Sequence, residues 1–230
     1  MANNFYNAIK RNVSNDSGLP TEVYKAPDTK KAILIELDVA NKSSSGVTVT
    51  VSMCDESQNQ TYDTAGTTIN ANASTVSSVA TTTAGTITTS AAHNLIVNDR
   101  VVFTGTAGSF TDAALPPSGD TALSVDAGSG SRMYYVQAVP SASTFKIAES
   151  ESATSPLTFD TTGSSVKMVK VFLADIVRDA PVPVGGSLKV ISGQKLVIES
   201  AHANVNDKIF VTSSAANAVD CIASVLQEVS

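Results

Sequence analysis

The stretch Ala32-Ile-Leu-Ile-Glu-Leu-Asp-Val-Ala40 gives the clearest indication of the fold, because its apolar side chains recur at every second position. In a β strand, residues two apart lie on the same face. The predicted core face carries Ile33, Ile35, Leu37 and Val39, and the opposite face carries Glu36 and Asp38. A polar loop, 41–46, and a second alternating run, 47–53, follow directly. This order predicts a hairpin of two antiparallel strands.

The carboxyl-terminal part of the chain has the same strand character. Short apolar or alternating runs separated by turn residues are typical of a β-sandwich. These predicted strands cover residues 167–173, 188–191, 196–198, 208–212 and 219–226. The last of them is apolar on both faces, which favours a position inside a sheet. The segment 181–186 is predicted as a connector, because its two prolines lack the N–H that a central strand donates.

Between these two blocks the composition changes to Thr, Ser, Ala, Asn and Gly. Candidate strands here are 86–89, 100–104, 133–138 and 144–148, with a long Gly/Pro/Ser-rich loop at 105–131. Insertions are tolerated at exposed loop tips with small polar residues. We therefore expect a small domain inserted at 75–163. The outer domain, an immunoglobulin-like or jelly-roll-like β-sandwich, would combine 21–74 with 164–230.

The first 20 residues are predicted to form an N-terminal arm that folds on contact with a partner. Within it, Phe5 and Ile9 are four residues apart and would share one face of a helix. Two interpretations of the segment 3–12 therefore stay open. It is a short helix, or it is an extended arm that becomes ordered against a neighbouring subunit.

Composition and charge exclude several classes of protein. The chain has 230 residues, including 30 Ser and 25 Thr, and only 16% of its residues are charged. Such a composition favours strands with one face in water and makes a mainly helical fold improbable. The net charge of −6 argues against a general nucleic-acid binder, which needs a cationic face. No apolar run is long enough to span a membrane and no signal peptide is recognisable, so we expect neither membrane insertion nor secretion.

The sequence predicts a protein without catalytic, metal or cofactor sites. Its two histidines, His93 and His202, each precede a predicted turn, where the imidazole would bond to backbone. No nucleophile elbow, zinc motif or calcium loop is present. Cys54 and Cys221 lie in apolar, strand-like runs and are predicted to be buried thiols, with a disulfide or a reactive site as the alternatives.

A few aromatic and basic side chains are the candidate contact residues. They comprise Phe5, Tyr6, Lys10 and Arg11 in the N-terminal arm, Phe110 in the long loop, and Tyr134 and Tyr135 in a predicted strand. Because neighbouring side chains of a strand point to opposite faces, one of the two tyrosine rings should lie in the core and the other at the surface.

The inserted segment contains a series of short motifs in a fixed order: Thr86–Thr89, His93-Asn-Leu95, Asn98-Asp-Arg-Val-Val-Phe103, Tyr134-Tyr-Val136 and Thr144-Phe-Lys-Ile147. This order resembles a small β-barrel module of phage tail and virion proteins. Such modules are often labelled as similar to the first catalytic-cysteine half-domain of ubiquitin-activating enzymes, a label that implies no ubiquitin chemistry. Asn94 and Asn98 stand where the family usually has glycine, and asparagine tolerates the left-handed backbone better than other side chains.

The flanking segments contain a second set of motifs: Phe5-Tyr-Asn-Ala8, Thr21-Glu-Val-Tyr24, Ala180-Pro-Val-Pro-Val-Gly185, Gly193-Gln-Lys-Leu-Val-Ile-Glu199, Asn206-Asp-Lys-Ile-Phe-Val211 and 219–228. These motifs resemble those of small structural proteins of tailed phages that infect cyanobacteria and other marine bacteria. This resemblance implies a non-enzymatic virion component of the neck or tail, assembled in the host cytoplasm from several copies together with other virion proteins. The alternatives are a capsid decoration or cement protein, and a receptor- or glycan-binding module that uses the loop 105–131.

Overall fold

The structure is a computed structural model in which the chain divides into two compact units. One unit combines residues 1–57 and 172–230, and the other spans 58–171. The predicted insertion, 75–163, falls inside the second unit. The structure describes residues 4–56, 61–62, 68–69, 73–79, 85–104, 132–157, 167–193, 195–202 and 205–227. The loop 105–131, together with Phe110, lies outside the described residues.

The first unit is a sandwich of two antiparallel sheets. Its larger sheet contains six strands: β1 (Asn4–Lys10), β3 (Lys31–Asn41), β14 (Ser187–Ile191), β15 (Leu196–His202), β16 (Val205–Asn206) and β18 (Val219–Gln227). They lie in the order β1-β18-β3-β15-β16, and β14 pairs with β3 beside β15. The smaller sheet contains four strands: β2 (Thr21–Lys25), β4 (Val47–Cys54), β13 (Leu173–Val182) and β17 (Lys208–Ser213). Their order is β13-β4-β17-β2.

Aliphatic side chains from both sheets form the core of the sandwich. The larger sheet contributes Leu34, Leu37, Val39, Ala223 and Val225, and the smaller sheet contributes Val49, Val51, Ile209 and Val211. All nine are at most 1% exposed. Burial of such side chains is the main stabilising term of a fold of this kind, at roughly 25 cal/mol per Å² of apolar surface.

The central hairpin forms as predicted from β3 and β4, but the predicted core face of β3 is wrong for its first half. Leu34, Leu37 and Val39 are buried, whereas Ile33 and Ile35 are only partly buried. The register with β18 shifts between the pairs Ser224–Glu36 and Val225–Leu34. An extra residue in one strand reverses which side chains point inward, so strict alternation placed Ile33 and Ile35 on the wrong face.

Several predicted boundaries in this unit are also corrected. The segment 4–10 is strand β1, paired with β18 of the same chain, so both the helix and an arm that is ordered only by a partner are wrong. The predicted strand 167–173 is two strands, β12 (Lys167–Val171) and β13, separated at Phe172. Pro181 lies within β13 rather than in a connector, and it is tolerated because β13 is an edge strand.

The second unit contains a closed barrel of six strands. They are β7 (Ala73–Val79), β8 (Ile87–Thr89), β9 (Arg100–Thr104), β10 (Tyr134–Ser141), β11 (Thr144–Ala148) and β12. The barrel closes in the order β10-β11-β8-β7-β12-β9 around a core that includes Phe103, Phe145 and Met168. A separate pair, β5 (Thr61–Tyr62) and β6 (Thr68–Ile69), also lies in this unit.

The turn before β9 confirms the interpretation of its asparagines. Asn94 and Asn98 have φ angles of 53° and 73°, in the left-handed region. Asparagine occupies this region more readily than other residues with a side chain. The protein is therefore all-β, a sandwich with a small barrel, as the sequence predicts.

The bulge in β3 makes a testable prediction about two neighbouring residues. Leu34→Ala should lower the free energy of unfolding by about 2–5 kcal/mol, because it removes a fully buried side chain and leaves a cavity. Ile33→Ala should lower it by no more than about 1 kcal/mol. Urea denaturation of the two variants measures both values. A larger loss for Ile33→Ala than for Leu34→Ala would contradict the observation that Leu34, and not Ile33, points into the core.

Candidate assembly surface

Strand β1 forms one edge of the larger sheet. It pairs with β18 along seven consecutive residues, from Asn4 opposite Gln227 to Lys10 opposite Cys221, without a register shift. In the described part of the chain, the other side of β1 has no strand beside it. An edge strand of this kind presents unpaired N–H and C=O groups to the solvent.

The side chains of β1 are unusually apolar for an exposed edge. Phe5, Tyr6 and Ile9 are 78%, 52% and 58% exposed, while Ala8 is buried. Phe5 and Ile9 point to the outer face of the sandwich, on the side opposite to Ala8. Ile222 of β18 lies directly opposite Ile9 and is 48% exposed. We call the exposed side chains of Phe5, Ile9 and Ile222 on the outer face, together with that of Tyr6 on the opposite face of β1, the β1 patch.

The outer face of the sheet continues this apolar surface across four strands. Phe5 pairs with Leu226, Leu226 with Ile33, and Ile33 with Val197. Leu226 and Ile33 are half-buried, and Val197 is 51% exposed. Large contiguous apolar patches on a protein surface are typical of interaction sites, so this face is a candidate.

Hydrogen bonds hold the end of β1 in place. The Asp220 carboxylate accepts from Lys42 Nζ at 2.7 Å and from the backbone N–H of Asn12 at 2.9 Å. The hydrogen bond from Lys42 is the main cause that lowers the pKa of Asp220. On the inner side, Gln227 Nε2 donates to the Tyr24 hydroxyl at 2.8 Å, and the Tyr6 ring lies 6.4 Å from the Tyr24 ring. The exposed side chains of β1 therefore sit on a well-anchored strand.

The described contact residues predicted from the sequence belong to two different units of the chain. Lys10 and Arg11 are exposed beside the β1 patch. Tyr134 and Tyr135, in the barrel, are only 3% and 4% exposed, so the prediction of one surface ring is wrong. Tyr134 packs edge-on against Phe103, and the Arg100 guanidinium lies 5.0 Å from the centre of the Tyr135 ring. The charged side chain covers the ring that alternation had placed at the surface.

A buried polar cluster at the end of β4 was not predicted. Lys208 Nζ lies 3.4 Å from Glu56 Oε2, and the two side chains are 2% and 1% exposed. Cys54, directly opposite Lys208 in the sheet, has its Sγ 3.6 Å from the same carboxylate. Two buried charges at this distance stabilise one another only as a pair.

The neighbouring residues of the cluster bind backbone groups. The Asp207 carboxylate accepts from the N–H of Glu199 at 3.0 Å and of Glu56 at 3.2 Å. Burial raises the pKa of Asp207, although these two hydrogen bonds oppose the shift. Asn206 Nδ2 donates to the carbonyl of Ala26 at 2.8 Å. These contacts join distant segments of the unit, which is a structural role.

The histidines were predicted to lie at turns. His93 Nδ1 accepts the backbone N–H of Leu95 at 3.0 Å, which confirms the predicted bond to local backbone. Its ring packs edge-on against Phe145 with the centres 5.2 Å apart. His202 is the last residue of β15, and its side chain lies outside the described residues. Across the described ranges, no group of three or more His, Cys, Asp or Glu residues is placed to hold a metal ion.

A shallow groove of about 360 Å³ lies at the edge of the sandwich opposite β1. It is lined by Ile176, Lys189, Val190, Ile191, Ser192, Lys195 and Leu196. The lining combines aliphatic side chains with two lysines and contains no carboxylate or imidazole, and Lys189 is already paired with Glu36. Among the described lining residues, the groove therefore offers no carboxylate or imidazole as a general base.

Comparison with models of protein families, with curated proteins and with solved structures found no match for this chain. In the part of the chain that the structure describes, no helix is long and apolar enough to cross a membrane. The class defined by fold and surface is thus an all-β protein with an exposed apolar sheet edge.

The buried pair predicts a large effect of removing one partner. Lys208→Met should lower the free energy of unfolding by about 3–5 kcal/mol, because it leaves the Glu56 carboxylate buried without its cation. Adding Glu56→Leu should restore most of the loss. Lys189→Met is the matched control, because the Lys189–Glu36 pair is exposed to solvent and its removal should leave the free energy of unfolding nearly unchanged. Equal effects of Lys208→Met and Lys189→Met would contradict the buried pair.

The thiols are buried, as predicted, and neither forms a disulfide. Burial raises the pKa of Cys221 to about 12. At pH 8 the thiolate is then on the order of one molecule in ten thousand, and the thiolate is the reactive form. A chromogenic disulfide reagent should label neither cysteine in the folded protein and both in 6 M guanidinium chloride. Rapid reaction of one cysteine per chain in the folded protein would contradict the burial of both thiols.

Proposed function

We propose that this chain is a non-enzymatic structural subunit of a tailed-phage particle, associated with the neck or tail and assembled in several copies. The observation that carries the proposal is the β1 patch, which leaves aromatic and aliphatic side chains exposed on a rigid sheet edge. Protein interfaces are built around such anchors, surrounded by polar groups. The resemblance of the flanking segments to phage structural proteins supports the virion as the setting.

The polar chemistry of the chain supports an assembly role rather than catalysis. Asp207 and Asn206 bind backbone groups, and Lys208 binds Glu56. An enzyme of the acid–base type needs titratable groups that converge on a space open to substrate. These four side chains are instead buried and bound to each other and to the backbone.

The alternative of glycan or receptor binding loses the two barrel tyrosines as contact residues. It depended on the loop 105–131, which lies outside the described residues, and on a surface tyrosine at position 134 or 135. Both tyrosine rings are buried. Glycan sites commonly use exposed aromatic faces, and these two rings do not offer one. Capsid decoration differs from the leading proposal only in where the copies sit.

Detection of the chain in purified particles tests the proposed function. Particles from a virus that encodes this chain, purified through a density gradient, should contain it in several copies as measured by quantitative mass spectrometry. When supplied in trans, the variant Phe5→Lys/Ile9→Lys should be incorporated at least tenfold less than the unaltered chain. The barrel variant Ile96→Lys/Val97→Lys, which changes two equally exposed apolar residues, should be incorporated normally.

Absence of the chain from particles that retain their necks and tails would end the proposal. Normal incorporation of Phe5→Lys/Ile9→Lys would be consistent with a component of the particle, but it would show that the β1 patch is not the surface through which the chain docks.

A further inference from the structure

We propose that the partner of strand β1 is β1 of a second copy, paired antiparallel across a two-fold axis at Asn7. The two larger sheets would then form one continuous sheet. The inference deepens the proposed function, on which it rests for its biological meaning, by naming the partner of the β1 patch. Three observations support the inference: the open edge of β1, the spacing of its side chains, and the features that protect the other described sheet edges from pairing.

The edge of β1 has none of the features that usually prevent pairing with another chain. Natural edge strands are protected by bulges, prolines, charged residues or short length. β1 has seven residues, pairs with β18 without a register shift, and carries one charged residue, Lys10, at its end. Its outward-facing N–H and C=O groups offer a partner strand the donors and acceptors of a further antiparallel pairing.

The other described edges of the sandwich are protected. β13 has two register shifts and contains Pro181. β14 has a register shift and an exposed lysine, Lys189, and β16 has two residues. β2 has five residues, with Glu22 and Lys25 among them. A head-to-tail assembly would have to join β1 to one of these protected edges, whereas two copies of β1 offer each other an open edge.

The sequence of β1 is complementary to itself in one antiparallel register. With Asn7 on the two-fold axis, Phe5 of one copy lies opposite Ile9 of the other, and Tyr6 lies opposite Ala8. Each large side chain meets a smaller one on its own face of the sheet. Such cross-strand pairs of aromatic and β-branched residues stabilise antiparallel sheets. The exposed Ile222 side chain, beside Ile9, would extend the apolar contact on the outer face.

The charges agree with the same register. Lys10 of one copy would lie opposite Asn4 of the other, so the cations are kept apart at the two ends of the paired strands. Like charges directly opposite each other would destabilise a sheet. Identical strands that pair antiparallel are related by a two-fold axis, which is the commonest symmetry of protein dimers.

Disulfide trapping tests the register directly. In the proposed dimer the two Asn7 Cα atoms lie about 4.5–5.5 Å apart, which is within disulfide range. Asn4 of one copy lies opposite Lys10 of the other, which is six residues from Asn4 of that copy. At about 3.4 Å per residue, the two Asn4 Cα atoms are therefore roughly 20 Å apart. The full chain carrying Asn7→Cys should therefore form a disulfide-linked dimer under mild oxidation, and Asn4→Cys should not. The double variant Asn4→Cys/Lys10→Cys should also be linked, because positions 4 and 10 of the two copies face each other. It is made together with Cys221→Ala, because Cys221 lies opposite position 10 in the same chain.

Solution size supplies an independent measurement. Sedimentation of the unaltered chain should show a dimer whose population rises with concentration. Phe5→Lys/Ile9→Lys should sediment as a folded monomer, with Ile96→Lys/Val97→Lys as the control that stays dimeric. A monomer at every concentration without Asn7→Cys linkage would overturn the inference, as would linkage through Asn4→Cys alone. Neither result contradicts the proposed function if purified particles contain the chain. Conversely, a chain that forms the dimer but is absent from particles would contradict the proposed function and not this inference.

Discussion

The pairing of β18 with β3 holds the first unit together and leaves β1 at the edge of the larger sheet. β18 pairs with β3 from Val219 opposite Asn41 to Gln227 opposite Ala32, and its other side pairs with β1. Its inward residues Cys221, Ala223 and Val225 are completely buried. Because β18 fills the place between β3 and β1, the first strand of the unit becomes the outermost one. The apolar side chains of β1 are therefore presented at the rim of the sheet.

Most strands were predictable because two-residue alternation and turn residues are local properties of the sequence. β9 and β11 begin and end where the sequence predicts, and β17 differs by one residue. The core face of β3 was not predictable, since the bulge depends on the partner strand β18. The N-terminal strand shows a further ambiguity. Phe5 and Ile9, four residues apart, share a face in a strand as well as in a helix, so their spacing could not decide between the two.

Whether an individual side chain is exposed or buried also depends on parts of the chain that are distant in sequence. Phe5, Tyr6 and Ile9 are exposed on β1, which is an edge strand because it pairs only with β18 in the described part of the sheet. Tyr135 is buried because Arg100, 35 positions earlier, lies over its ring. Lys208 is buried because Glu56, 152 positions away, supplies a counter-charge. Hydropathy assigns both charged side chains to water, so contacts over such separations cannot be read from a single sequence.

Amide hydrogen exchange in β1, measured by NMR at two protein concentrations, tests the central claim most directly. An edge strand donates alternate N–H groups to its one neighbour and leaves the others facing outward. The account predicts that the amides bonded to β18 are protected at every concentration. The outward-facing amides should become protected only at concentrations at which two copies associate. Unprotected amides throughout β1 would show that it is not part of the sheet, and outward-facing amides that stay unprotected at high concentration would show that its edge is not where copies meet.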